Sequence, residues 1–197
     1  MRLVKDFVDR LGAGILIILL LPVLLLIGLI VLVDDGWPVI YRRRVVGTKG
    51  EFDAYKFRSM RRNAGAMLEK DPALKREYER NFKLRKDPRI TRAGALLRKY
   101  SLDELPQLFN VVRGQMSLVG PRMITAQELS KYGRYQDLLM TTKPGLTGYW
   151  QTRGRQDTTY EERVRMDVHY ITHWSLALDL RILFETPWKV IRGKGAY

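Results

Sequence analysis

The chain has 197 residues, a formal net charge of +14 and no cysteine. This length is enough for one ordinary domain with its own core. The lack of cysteine excludes disulfides, thiolate metal sites and a cysteine nucleophile. The strong positive charge indicates a nucleic acid, an anionic lipid surface or a phosphorylated substrate as the partner.

An uncharged apolar run from Leu11 to Val33 dominates the N-terminal part of the chain. Runs of about 18 or more such residues are typical of membrane-embedded helices. Apolar and charged side chains alternate over residues 1–10, which predicts an amphipathic lead-in helix. The length of the run and the charged Asp34-Asp35 pair after it argue against a cleaved signal peptide.

Pro22 lies in the middle of this run and leaves two topologies open. Because proline removes a backbone hydrogen bond, it bends or breaks a helix. Half the run would be about 17 Å long, which is too short to cross a membrane core of about 30 Å. A helix broken at Pro22 would enter and leave the same leaflet and keep both basic flanks on one side. A kinked spanning helix is the alternative, since spanning helices tolerate proline.

The rest of the chain predicts short elements and two longer helices. Residues 36–41 indicate a turn and a short strand, which we expect to pair with a strand over Phe52–Met60. The charged segment Ala64–Arg85 predicts a solvated helix that is interrupted at Asp71-Pro72. Helical periodicity predicts further helices over Thr91–Tyr100, Ser101–Val112, Tyr160–His173 and Ser175–Arg192. The last of these has a wide apolar face, which suits either the core or a membrane interface.

The stretch from Arg98 to Arg122 is the most informative for chemistry, because adjacent carboxylates at Asp103 and Glu104 lie between arginines. Ser101 and Glu104 have the spacing of a capping box, so we expect Ser101 to cap a helix. The helix macrodipole would then stabilise both ionised carboxylates in the first turn and attract phosphate. One carboxylate can act as a nucleophile while the other holds Mg²⁺. An ordinary helix start with solvated arginines is the alternative at this point.

Several motifs in one order carry a resemblance that covers nearly the whole chain. They are YKFRSM at 55–60, SLDELPQLFNV at 101–111, RGQMSLVGPR at 113–122, KPGLTGYWQ at 143–151, YEERVRMDVHY at 160–170 and WSLALDL at 174–180. These motifs resemble the bacterial sugar transferase family, the monotopic polyprenyl-phosphate phosphoglycosyl transferases. The ending is similar to the branch that initiates exopolysaccharide and O-antigen synthesis.

The resemblance implies an α+β fold that is mainly helical. Its parts would be a re-entrant membrane helix broken at Pro22, a small β element and amphipathic interface helices. An anchor over residues 1–35 and a catalytic domain over 36–197 would lie on the cytoplasmic face of the bacterial inner membrane, in contact with membrane lipid. Many relatives carry a large N-terminal membrane region, so we expect a short member or a catalytic core.

The resemblance also implies the reaction. A sugar-1-phosphate would pass from a UDP-sugar to undecaprenyl phosphate with release of UMP, in two steps that need Mg²⁺. The donor would be a UDP-hexose such as UDP-galactose or UDP-glucose. No nucleic acid is expected as a partner, and the oligomeric state stays open.

Carried onto this chain, the family motif makes Asp103 the nucleophile that forms a covalent phosphosugar intermediate. Glu104 would bind Mg²⁺ with it or assist proton handling. The positions that fit contact with phosphate or nucleotide are Arg98, Arg122, Arg155, Lys56 and Asp167. Two positions depart from the family pattern, since Gln115 replaces an acidic residue and Met123 replaces a proline. Gln115 puts in doubt any metal or structural role of that carboxylate.

Two functions from other classes compete with this interpretation. A basic nucleic-acid binder tethered to the membrane would explain the net charge of +14 but not the Asp103-Glu104 pair between arginines. A non-catalytic membrane scaffold would use the helix at Ser175–Arg192 for docking. The scaffold predicts that the variant Asp103→Asn retains function.

Overall fold

The computed structural model describes residues 2–81, 84, 87–154 and 158–191. The helices are α1 (Arg2–Asp35), α2 (Ala64–Lys70), α3 (Pro72–Asn81), α4 (Arg92–Lys99), α5 (Gln107–Val112), α6 (Ala126–Leu129), α7 (Gln136–Met140), α8 (Tyr149–Arg153), α9 (Tyr160–Thr172) and α10 (Leu176–Ile191), with 3₁₀ turns at Leu102–Glu104 and Ser130–Tyr135. The strands are β1 (Ile40–Gly47), β2 (Gly50–Phe57), β3 (Ser117–Val119) and β4 (Gly145–Thr147). The predicted fold class, mainly helical with a small β element, is confirmed.

Helix α1 is a single helix of 34 residues with Pro22 inside it. At 1.5 Å per residue it is about 50 Å long. The break predicted at Pro22 does not divide the segment into two helices, because the hydrogen bonds on either side of the proline carry the helix past the missing one. The stretch Leu3–Asp35 is apolar enough for a membrane, and only 17% of its most apolar 18-residue segment is buried in the protein. Most of this surface therefore needs another apolar environment.

Both ends of α1 are tied to the same body. Near its start, Lys5 Nζ lies 2.5 Å from Asp179 Oδ2 of α10. At its end, Arg58 donates to the main-chain oxygen of Asp35 at 2.9 Å, and its guanidinium lies 3.3 Å from the Asp35 carboxylate. A helix that ran straight away from the body could not make both contacts.

Strands β1 and β2 form an antiparallel hairpin in which Ile40 pairs with Phe57 and Gly47 with Gly50. The predicted pairing is confirmed, but β1 is longer than expected because it continues through three arginines. Arg44 stays on the exposed face of the hairpin, where it forms ion pairs with two acidic residues of β2. The hairpin places Lys56 near the end of β2, next to the carboxylate turn.

Strands β3 and β4 form a short parallel pair, with Ser117 opposite Gly145 and Val119 opposite Thr147. The backbones of Gly120 and Gly145 come so close that a Cβ atom on either one would collide with the main chain of the other segment. Only glycine fits such an approach. The loop at Pro121–Arg122 is thereby fixed beside the segment that leads into α8.

The largest core cluster joins residues of α1, the hairpin, α5, β3, α9 and α10. On the buried face of α10, Asp179 accepts hydrogen bonds from Tyr170 at 2.7 Å and from the Trp174 ring at 3.0 Å. The opposite face of α10 leaves large apolar side chains exposed, namely Leu180, Phe184, Trp188 and Ile191. Exposed apolar faces of this kind are typical of membrane-interface helices.

Candidate active site

The carboxylate pair lies on a tight turn between α4 and α5. Ser101 has a left-handed backbone with a φ of 53°, residues 102–104 form a 3₁₀ turn, and Pro106 precedes α5. The predicted capping box is wrong, because the Ser101 side chain makes no capping hydrogen bond. A non-glycine residue in the left-handed region is strained, and such strain clusters at functional sites. The turn directs Asp103 inward.

Asp103 is buried, with 7% of its surface exposed. Burial raises the pKa of the Asp103 carboxyl, and the charge of Glu104 adds to that rise. Lys56 and Arg98 oppose the rise in this pKa by favouring the ionised form. The sequence predicted a stabilised ionised form, whereas desolvation makes the net shift of the Asp103 pKa upward.

The Glu104 side chain is half-buried and binds Lys56, with Oε1 accepting from Nζ at 2.5 Å. Burial alone would raise the pKa of Glu104, but the Lys56 ammonium holds it below its ordinary value, and the charges of Arg122 and Arg43 act in the same direction. The two adjacent carboxyls thus have pKa shifts of opposite sign. Environments that push neighbouring titratable groups apart are typical of catalytic pairs.

The carboxylate turn rests on the second half of α1. Leu102 and Leu105 pack against a buried cluster to which α1 contributes Leu24, Ile27 and Val31. Burial of these leucines fixes the depth of Asp103 relative to the apolar segment. A membrane surface at α1 would therefore lie beside the carboxylates.

Arg98 reaches the site from the last turn of α4, where its Nε donates to Ser59 Oγ at 2.8 Å. The close approach of α4 to the Ser59 backbone needs a glycine at position 94, since a Cβ there would collide with the Ser59 carbonyl. Burial lowers the pKa of Arg98. The guanidinium stays charged, because arginine is effectively always protonated in proteins.

Arg122 and Asp167, both predicted to contact phosphate or nucleotide, lie together but have different roles. The Arg122 amide donates to Asp167 Oδ1 at 3.3 Å, and Tyr132 donates to Asp167 Oδ2 at 2.7 Å. Asp167 is fully buried. With both oxygens bonded to the protein, Asp167 holds the Arg122 loop in place and does not face a ligand. The Arg122 guanidinium lies over Trp150, 5.0 Å from the ring centre.

Three further residues complete the surroundings of Arg122 and were not predicted. They are Arg43 of β1, Trp150 of α8 and Arg163 of α9. The signal for Arg163 was present in the sequence, because it lies one helical turn before Asp167 and so shares its face. Arg155, another predicted contact, lies outside the described residues.

The two departures from the family pattern have structural roles. The side-chain oxygen of Gln115 accepts from the buried amide of Asn110 at 2.9 Å. Asn110 in turn binds the backbone of β2 at both Asp53 and Tyr55. Met123 is buried in the main core. Gln115 therefore supports the packing of α5 on the hairpin.

A family model described as bacterial sugar transferase matches residues 1–193. The chain belongs to the bacterial sugar transferase family. The resemblance seen in the sequence motifs is confirmed.

Named relatives of this family align along the chain. It is 46% identical over 200 residues to the UDP-galactose-lipid carrier transferase of Erwinia amylovora, covering 100% of this chain and 42% of that protein. It is 49% identical over 168 residues to the undecaprenyl-phosphate galactose phosphotransferase of Salmonella typhimurium, covering 83% and 35%. It is 42% identical over 198 residues to the exopolysaccharide production protein ExoY of Sinorhizobium fredii, covering 98% and 88%. The chain spans about two fifths of the first two relatives and most of the third.

The donor set at the carboxylate turn fits Mg²⁺. Within the described residues no group of three or more His, Cys, Asp or Glu side chains could hold a metal. Mg²⁺ usually takes only one or two carboxylates and completes its shell with substrate phosphates and water. Asp103 and Glu104 supply this number of carboxylates, next to cations that suit phosphate.

Proposed function

We propose that the chain is a phosphoglycosyl transferase that moves a sugar-1-phosphate from a UDP-sugar to undecaprenyl phosphate and releases UMP. The observation that carries this proposal is the buried Asp103 carboxylate, flanked by Lys56 and Arg98 on a turn packed against α1. The family membership and the names of the relatives support the reaction class.

In the first step, an Asp103 oxygen attacks the phosphorus that bears the sugar. A phosphorus–oxygen bond forms to Asp103, and the bond from this phosphorus to the bridging oxygen breaks. That oxygen leaves on UMP with the electron pair. Lys56, Arg98 and Arg122 surround the region where negative charge develops, and fixed cations of this kind are usually the largest contribution to phosphoryl transfer.

In the second step, a phosphate oxygen of undecaprenyl phosphate attacks the same phosphorus. The acyl phosphate bond to Asp103 breaks, and the carboxylate is regenerated. Glu104 stays ionised next to Lys56, since the ammonium keeps its pKa low. This charge state favours metal binding by Glu104 over proton donation.

Asp103 and Glu104 would hold Mg²⁺, which neutralises charge on the phosphates when it is bound. The residues of this chain keep the reacting carboxylate dry and oriented. Lys56 and Arg98 favour its ionised form, while Leu102 and Leu105 shield its turn with apolar contacts to α1.

The attachment of both ends of α1 to one body supports a monotopic location at the cytoplasmic face of the inner membrane. A re-entrant or interfacial α1 keeps both basic flanks on one side, in agreement with the positive-inside rule. The water-soluble donor and the phosphate of the lipid acceptor would meet at headgroup depth, where the carboxylate turn contacts α1. The donor sugar is proposed to be galactose or glucose, and the product would enter exopolysaccharide or O-antigen assembly.

The test is UMP release by the purified protein in detergent with Mg²⁺, undecaprenyl phosphate and a panel of UDP-sugars. We expect release with one or a few UDP-hexoses, dependent on the lipid acceptor for multiple turnovers. UMP release by the variant Asp103→Asn should fall to background, while its circular dichroism spectrum stays unchanged. Salt-sensitive binding of DNA or RNA without UMP release from any donor would overturn the proposal in favour of a nucleic-acid binder.

A further inference from the structure

Two guanidinium groups share one indole ring beside the carboxylate turn. The Cζ atoms of Arg122 and Arg163 each lie 5.0 Å from the centre of the Trp150 ring. Arg163 also lies over Tyr160 at 4.8 Å. Trp150 is itself buried, with 8% of its surface exposed. The ring therefore sets the relative position of the two cations.

Neither guanidinium forms a direct ion pair within the described part of the chain; the carboxylates of Glu128, Glu104 and Asp167 act on them only from a longer distance. The ion pairs found there do not include Arg122 or Arg163. The nearby Glu128 pairs with Arg43 at 3.0 Å. The Nε atoms of Arg122 and Arg163 are buried, and neither makes a hydrogen bond to a described residue. Two like charges with unsatisfied donors thus lie close together.

Such an arrangement is costly without a ligand. Buried donors without a partner lose their hydration, and like charges at close range repel each other. A multiply charged anion would offset both the lost hydration and the repulsion, because an arginine guanidinium can donate two hydrogen bonds to phosphate oxygens. The cations therefore form a site for an anion with more than one charged group.

The position of Arg163 favours the soluble substrate. Its neighbour Val164 belongs to a core cluster with Val46, Ile124, Tyr132 and Leu139, to which α1 contributes no described residue. Arg98, in contrast, follows Leu97 in the chain, and Leu97 packs with residues of α1. The phosphate of a lipid acceptor would be expected near α1, and the nucleotide donor near α9.

We propose that Arg163 acts with Arg122 to bind the diphosphate of the sugar-nucleotide donor, and that Trp150 is the positioning residue that fixes both guanidiniums. This inference rests on the proposed function. It adds Arg163 and Trp150 to the donor site and assigns the α9 side of the carboxylate turn to the nucleotide.

The experiment compares Arg163→Gln with Arg165→Gln by calorimetric titration of UDP and by steady-state kinetics. Arg165 is the matched control, because it lies on the same helix and its substitution removes the same charge. Its side chain is 72% exposed and pairs with Glu161, which is 78% exposed. Loss of Arg163 should weaken UDP binding and raise the KM for the donor by about 10- to 100-fold, as expected for a charge-assisted hydrogen bond. The KM for undecaprenyl phosphate should stay within twofold, about the scatter of such measurements.

Two more variants keep the test decisive. Arg163→Lys retains the charge and should weaken UDP binding by about tenfold, since it loses the planar fork. Trp150→Phe should retain most of the UDP affinity, while Trp150→Leu should lose it, because only an aromatic ring holds the cations. Thermal unfolding checks that each variant is folded. If Arg163→Gln does not fold, the UDP affinity of Arg163→Lys tests the role of Arg163 instead.

Equal UDP affinity in Arg163→Gln, Arg165→Gln and the wild type would overturn this inference, and so would a rise in KM for the lipid acceptor alone. In both cases wild-type UMP release would leave the proposed function intact. A wild-type protein that releases no UMP from any UDP-sugar would instead contradict the proposed function itself.

Discussion

Lys56 Nζ lies 2.5 Å from Glu104 Oε1 and joins the end of strand β2 to the carboxylate turn. Its charge acts on both members of the pair, since it lowers the pKa of Glu104 and opposes the rise in the pKa of Asp103. One ammonium group thus controls the ionisation of both carboxyls.

Replacing Lys56 with methionine should raise the pKa of both carboxyls. The nucleophile must be ionised, so the acidic limb of the pH profile of kcat/KM should move to higher pH, by about one unit or more. Kinetics of UMP release across pH would measure the shift. The variant Lys75→Met removes an exposed ammonium that pairs with Glu69 and serves as the control. An acidic limb that is identical in Lys56→Met and Lys75→Met would contradict the assigned role of Lys56.

Asp167 predicts a pH dependence of stability. Burial raises its pKa in the folded protein to about 6, against about 3.9 in the unfolded chain. The folded state therefore binds this proton more tightly, and ionisation of Asp167 lowers the free energy of unfolding as the pH rises from about 4 to about 6. Relative to Asp167→Asn, the free energy of unfolding of the wild type should fall by roughly 1–3 kcal/mol across this pH range.

Chemical denaturation in detergent at several pH values would measure this difference between the wild type and Asp167→Asn. The exposed residue Asp137 provides the control variant Asp137→Asn. A difference between the wild type and Asp167→Asn that does not change between pH 4 and pH 6, about the range set by the two pKa values, would rule out a raised pKa at this position.

The close backbone contact between β3 and β4 predicts a steric effect at Gly145. A Cβ there would collide with Gly120, so Gly145→Ala should destabilise the protein by about 1–3 kcal/mol and displace the Arg122 loop. The KM for the donor should rise with it. At Gly65 of α2, a Cβ atom would meet no neighbouring heavy atom within 4 Å. Gly65→Ala should therefore leave activity unchanged and stabilise the helix by up to about 1 kcal/mol.

The contacts at both ends of α1 predict a topology. Because the chain has no cysteine, a single cysteine placed before Met1 and another at Lys49→Cys in the β1–β2 turn report one site each. A membrane-impermeant maleimide should label both in inside-out vesicles and neither in intact spheroplasts. Labelling of the N-terminal cysteine alone in spheroplasts would contradict this topology and show that α1 spans the membrane.

Much of the fold is visible in the sequence because it depends on local periodicity. The apolar run of α1, the amphipathic α10 and the β1–β2 pairing are all found where the pattern predicts them. The length of β1 was missed because its three arginines look like a solvated flank. Cross-strand ion pairs from Arg44 to Glu51 and Asp53 stabilise that stretch as a strand.

The carboxylate turn could be located from the sequence but not described from it. The Ser101 and Glu104 spacing predicts a capping box, yet Glu104 binds Lys56, which lies far away in the sequence. The ionisation of Asp103 was misjudged for the same reason, since packing of Leu102 and Leu105 on α1 buries the turn. Contacts between distant segments decide both properties, and no local pattern encodes them.

The central claim is that Asp103 forms a covalent bond to the sugar-bearing phosphate. Intact-protein mass spectrometry tests it after incubation with Mg²⁺ and the active UDP-sugar in the absence of undecaprenyl phosphate, under quench conditions that preserve acyl phosphates. We expect a mass increase of one sugar phosphate on Asp103, at most one UMP released per protein, and neither change in Asp103→Asn. An unmodified wild-type protein that nevertheless transfers the sugar phosphate when the lipid acceptor is added would contradict the two-step route.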